Sequence, residues 1–93
     1  MTPSIGRIVH YMLSADDARR ITTQRKGAHA GDGGGNFVEE GQVYPMLIVR
    51  IWGETEQSSV NGQVFLDGND TLWVTSAGQG DGPRQWHEAP RVP

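Results

Sequence analysis

The run QVYPMLIVRIW at residues 42–52 is the feature that most constrains what this chain can fold into. Read with a two-residue repeat it is apolar on both sides. Val43, Leu47, Val49 and Ile51 fall on one side; Tyr44, Met46, Ile48 and Trp52 fall on the other, with Arg50 interrupting. β-Branched and aromatic residues at this density favour a strand. A strand that is apolar on both faces has to be covered on both, so this run is expected at the centre of the sheet. Pro45 has no N–H to give to a ladder and predicts an edge or a bulge where it falls. At 93 residues the chain has room for one domain. A domain of that size buries only about 60–65% of its unfolded surface, so its core is small.

Other strands are expected on the same grounds. Residues 4–13 alternate with Val9, Tyr11 and Leu13 on one face and Ile8, His10 and Met12 on the other. Residues 60–66 and 71–76 flank Asp67-Gly68-Asn69-Asp70, a hairpin signal because Gly and Asn tolerate positive φ. That turn predicts Leu66 opposite Thr71, Phe65 opposite Leu72 and Val64 opposite Trp73. Asn61-Gly62 is open to a second turn or to a bulge inside one strand, and the bulge is the expectation.

One helix is expected, over about residues 15–26. Ser14 and Asp17 form its capping pair, Asp16 and Asp17 sit at the positive end of its dipole, and Arg25 and Lys26 sit at the negative end. Gly27 is its natural stop, Asp16 and Arg20 are spaced for an i,i+4 pair, and the apolar stripe Ala15, Ala18, Ile21 is thin enough to keep it on the surface. A glycine-rich loop follows at 27–36, with Phe37 and Val38 as an anchor and Glu39-Glu40-Gly41 as a turn. These elements predict a mainly β domain over residues 1–83: a small twisted antiparallel barrel of four or five strands, SH3-like or OB-like, with one short surface helix near the N-terminus. Residues 84–93 hold two prolines and no periodicity, and are expected to be an extended tail.

Several chemistries are disfavoured. No cysteine is present, which removes disulfides, thiolate catalysis, cysteine zinc sites and iron–sulfur clusters. His10, His29 and His87 lie in separate segments without ligand spacing, so no metal is expected. Neither glycine-rich segment (31–36, 78–82) leads into a helix or carries a Lys-Ser/Thr pair, and each contains an acid, so neither is read as a phosphate cradle and no cofactor is expected. No serine sits in a nucleophile elbow, and the acidic pairs 16/17, 39/40 and 54/56 lie in polar surroundings that would not raise a pKa. The chain is therefore read as a non-enzyme. The net charge of −3 disfavours general binding to nucleic acid, and Arg19-Arg20 with Arg25-Lys26 is read as a solvated helix face. No run of 18 apolar residues is present for a membrane span, and no basic segment followed by an apolar one predicts export by a signal peptide.

What remains is association. Three tryptophans in so short a chain, with Tyr, Met and Arg, are the residue types enriched at interfaces. Trp86 needs a home, either within its own sheet or on another chain. The expected docking group is Trp86 as a buried anchor, His87 and Arg84 as its polar rim, and Phe37 seating the glycine-rich loop against the partner.

The segments SIGRIVHY at 4–11, GQVYP at 41–45 continuing through VRIW at 49–52, and QVFLDGNDTLW at 63–73, with Trp86-His87 near the end, resemble a group of small uncharacterised proteins of actinobacteria and their tailed phages. The arginine-over-lysine and glycine bias agrees with a GC-rich source. The resemblance carries no activity and no functional residue. It implies a phage setting, in the virion or the host cytoplasm. There a small β protein of this kind is expected to be an accessory virion part (capsid decoration, connector or tail-associated) that docks on other virion proteins or on itself. The other expectation is a small-barrel regulator that binds nucleic acid or a host protein.

Overall fold

In strand β1 (Ile8–Met12) the alternation holds: Val9 and Tyr11 point inward and are fully buried, as is Leu13 just beyond, while Ile8, His10 and Met12 point outward. The computed structural model describes residues 1–28 and 35–90; what the sequence predicts for residues 29–34, His29 included, and for 91–93 lies outside the described residues. After β1 come helix α1 (Ala15–Ala28) and strands β2 (Val43–Trp52), β3 (Ser59–Phe65), β4 (Thr71–Ala77) and β5 (Trp86–His87). The five strands form one antiparallel sheet in the order β4-β3-β2-β1-β5. The protein is thus mainly β with one short helix, as expected. The sheet is not closed, so "barrel" describes it only loosely. Its two ends approach at one point: Gln79, just past β4, bridges to Trp86, with Trp86 N–H donating to Gly78 O (3.0 Å) and Gly80 N–H donating to Trp86 O (2.8 Å). The expected tail therefore begins as a strand of the sheet.

The central run is β2, lying between β1 and β3. Its phase changes midway. Met46 and Ile48 face the core, a register shift between Ile48 and Arg50 leaves Val49 as the extra residue, and beyond it Ile51 rather than Trp52 packs against the core. Pro45 is not at a sheet edge. It lies where the β2–β3 register, which begins at Met46↔Val64, has ended, so its missing N–H costs no bond to β3. The bulge expected at Asn61-Gly62 falls on the neighbouring strand instead: between the pairs Val60↔Ala77 and Gly62↔Val74 one β3 residue, Asn61, faces two β4 residues, Thr75 and Ser76, and Ser76 takes φ +53°. Gly62 is required in β3: a Cβ would stand 2.6 Å from Met46 Cγ and 2.8 Å from Leu47 O.

The β3–β4 hairpin corrects the expected register by one residue. Phe65 pairs with Thr71, Val64 with Leu72 and Gln63 with Trp73. Directly opposed residues share a face, so the observed pairing matches buried Val64 with buried Leu72, whereas the expected one would oppose buried Val64 to exposed Trp73. Leu66 leaves the ladder and folds back into the core, lengthening the connection to residues 66–70.

The capping pair of α1 forms in both directions: Ser14 Oγ accepts from Asp17 N–H (3.0 Å) and Asp17 Oδ2 accepts from Ser14 N–H (3.0 Å). The predicted Asp16–Arg20 pair does not form. Asp16 binds Arg19 at 2.8 Å, and Arg20 turns toward Asp17 (3.8 Å) and the sheet. Gly27 is inside the helix, which runs to Ala28. Ile21 is its fully buried contact with the core. Val38 is buried and is the anchor after the loop; Phe37 is 76% exposed. The turn expected at Glu39-Glu40-Gly41 forms: Gly41, at φ +92°, takes its third position, and Gln42 N–H closes it on Glu39 O (3.3 Å).

Candidate functional site

Alternation gives the sheet a second apolar face. Ile8, Leu47, Gln63 and Trp73 are directly opposed across β1 to β4 and form one outward row. The row beside it runs His87, His10, Pro45 and is continued by the pair Phe65 and Thr71. Met12 and Val43 begin a third. Ile8, Val43, Phe65 and Trp73 are each between 41% and 47% exposed. Large apolar side chains standing this close together on a solvent face are unusual for a chain that acts alone.

The border of this face is polar and fixed. Past the β2 bulge the Arg50 guanidinium lies 4.0 Å from the centre of the Trp52 ring. Trp52 Nε1 donates to Asn61 Oδ1 (2.8 Å), which also accepts from Ser76 N–H (2.8 Å). Near Ile8, Arg7 and Glu88 pair at 3.4 Å, both half-exposed, which adds little.

The free edge of β4 is covered by side chains. Its alternate carbonyls at Thr71, Trp73 and Thr75 accept from Gln24 Nε2 (2.9 Å), Arg20 Nη2 (3.3 Å) and Arg84 Nη2 (3.3 Å). Open strand edges invite pairing with other chains, and occupied carbonyls obstruct it. The helix is fastened along this edge by Arg25, whose Nε and Nη2 reach the two Asp70 carboxylate oxygens at 2.8 and 3.2 Å and whose Nη1 donates to Asn36 O (2.7 Å). The Arg25 hydrogen bonds hold the Asp70 carboxyl below the usual carboxylate range. At the other end of α1, the fully buried Tyr11 donates from its hydroxyl to Asp17 Oδ2 (2.6 Å). Burial, and then this bond, push the Tyr11 hydroxyl far above its ordinary value. Tyr11 thereby pins β1 to the start of α1.

The four residues singled out for docking do not share one face. Trp86, opposite Tyr11 on β5, turns inward and is fully buried in its own chain, the intramolecular of the two homes open to it. Its Nε1 has no hydrogen-bond partner. An unpaired N–H costs about 1–3 kcal/mol, against about 4–6 kcal/mol from removing the ring from water, so burial wins. His87 turns outward and meets His10 edge-on, ring centres 5.6 Å apart. Arg84 (φ +65°) serves the β4 edge. Phe37 stands in solvent, while the chain beside it is tied down by Asn36, whose N–H and Nδ2 bind Asp67 O and Oδ2 at 2.8 Å each. Sequence reasoning missed Ile8, Phe65 and Trp73 as members of an outward surface. The signal was present, since both phases of these strands are apolar, but the hairpin register was displaced by one.

Among the described residues no three His, Cys, Asp or Glu side chains are grouped to hold a metal ion. Open depressions lie along the solvent side of α1, beside Arg19, Thr22 and Thr23, away from the sheet face. Three of the helix's four basic residues are engaged: Arg19 by Asp16, Arg20 by β4 and Arg25 by Asp70. Among the described residues no helix is long and apolar enough to cross a membrane.

Fold and face together define a small, mainly β domain built on one open antiparallel sheet, with one side packed and the other side apolar but unpacked. No protein family, curated protein or solved structure matches the chain.

Proposed function

We propose that this protein is a non-enzymatic protein–protein interaction module that docks through the outward face of its sheet. The observation that carries the reading is the contiguous row Ile8–Leu47–Gln63–Trp73, backed by Phe65 and Val43. Transferring such side chains from water contributes about 25 cal/mol per Å², and interface centres are enriched in these residue types and depleted of charge. Among the described residues no Lys or Arg lies within the rows of this face to neutralise phosphate, which favours a protein over a nucleic-acid partner. The finer proposal is an accessory component of a phage virion, for capsid decoration, connector or tail. It is supported by the resemblance to proteins of actinobacteria and their tailed phages, whose segments 41–45, 49–52 and 63–73 contribute much of this face.

The test is mass spectrometry of purified particles from phage carrying either the wild-type gene or Trp73→Asp. The chain is expected in wild-type particles and depleted from the variant's, at equal soluble expression. Absence from wild-type particles removes the virion reading. Undiminished incorporation of Trp73→Asp removes this face as the docking surface.

A further inference from the structure

We infer that the partner of the outward sheet face is a second copy of this chain, the two sheets packing face to face about a two-fold axis. The inference rests on the protein-interaction reading and names the occupant of the face. Three observations converge on it.

The first is charge. The chain has eight basic and eleven acidic residues, yet none lies in the rows through Ile8, His10 or Met12; Arg50 and the Arg7–Glu88 pair stand at the border. A partner selected by charge would find nothing there to complement. A face whose only ionisable groups are the imidazoles of His10 and His87 meets its own copy, while these are neutral, with no like-charge repulsion across the contact. The one amide within the rows, Gln63, carries both donor and acceptor, so two copies of it can satisfy each other across an axis.

The second is the edge. Thr71, Trp73 and Thr75 carbonyls on β4 are already bonded to Gln24, Arg20 and Arg84. At the other end β5 has only two residues and is bridged to Gln79. Two copies are thereby hindered from joining edge to edge into a continuous sheet, and face-to-face packing is the geometry left open.

The third is size. Four strands spaced about 4.8 Å apart, with about six residues each rising about 3.4 Å, present a footprint near 400 Å² per copy. Over two copies that is about 800 Å², short of the roughly 1,000 Å² of a stable interface, so with two-fold symmetry it describes a weak dimer that fills as concentration rises and dissociates on dilution.

The experiment is sedimentation equilibrium of the full chain over a concentration series, with far-UV circular dichroism to establish folding. The wild type is expected to pass from monomer to dimer as concentration rises, with acrylamide quenching of the exposed Trp52 and Trp73 falling in step. Trp73→Asp is expected to weaken the dimer by at least about tenfold. If that variant does not fold, Ile8→Lys interrogates the same row from the opposite side of the sheet. A wild type that stays monomeric at every concentration overturns the inference. So does a dimer that survives both substitutions in folded protein. A monomer whose incorporation into particles is still lost with Trp73→Asp overturns self-association alone and leaves the docking reading standing.

Discussion

The two faces of the sheet are made of nearly the same residue types and have opposite fates. Inward, Val9, Tyr11, Met46, Ile48, Val64, Leu72 and Trp86 are buried beneath Ile21 of the helix, Val38 and Leu66. Outward, Ile8, Leu47, Phe65 and Trp73 stand one residue away along the same strands, and Ile8, Phe65 and Trp73 are among the chain's most exposed large apolar groups. Hydrophobicity does not distinguish them; cover does. A helix of 14 residues, with Val38 and Leu66 from the connections, suffices to pack one side of a sheet this size. Nothing among the described residues packs the other.

The comparison can be broken most sharply at Trp86. Truncation to Ala should cost about 3–5 kcal/mol in urea unfolding, as for other fully buried aromatic residues. A loss below about 1 kcal/mol would mean that its ring does not close this core. Gly62→Ala comes next. The new methyl meets Met46 and a backbone oxygen that cannot turn aside, so a loss of about 1–3 kcal/mol is expected, seen as a lower melting temperature without a change in oligomeric state.

Acid sharpens the contrast from the rim of the packed side. Asp70 has a folded-state pKa below its unfolded value because Arg25 binds the carboxylate. Its contribution is therefore complete above the unfolded value near 4 and is lost as pH falls through the folded one. Asp70→Asn should flatten that acid limb and lower stability at pH 7 by less than Gly62→Ala does. The smallest effect belongs to the outward face: Trp73→Thr, which keeps a strand-favouring side chain, should change unfolding free energy by about 1 kcal/mol or less while reducing self-association. Equal losses of stability for Trp73→Thr and Trp86→Ala would erase the distinction between the faces.

Much of the local structure was legible. The β1 alternation, the Ser14–Asp17 capping pair and the turn at Glu39-Glu40-Gly41 each follow from a short-range rule, and each depends on residues within a few positions of one another. The misses share a different cause. The hairpin slipped by one because Leu66, read as a ladder residue, gains more by turning into the core. Arg20 and Arg25 were read as helix-surface charges, yet they reach Trp73 O and Asp70, 53 and 45 residues away. The outward face was illegible for the same reason that the run at 42–52 was so informative: a strand apolar in both phases announces two buried sides without saying which one this chain will cover.

The sequence by itself determined that the chain forms short strands around one helix, because strand period, capping and turn chemistry are set by neighbouring residues. Only the tertiary structure decided that Trp86 goes in and Trp73 stays out, that the sheet remains open, and that the edge of β4 is spent on Gln24, Arg20 and Arg84. Those outcomes turn on competition among distant groups for one limited interior, and a chain of 93 residues has interior enough for only one side of its sheet.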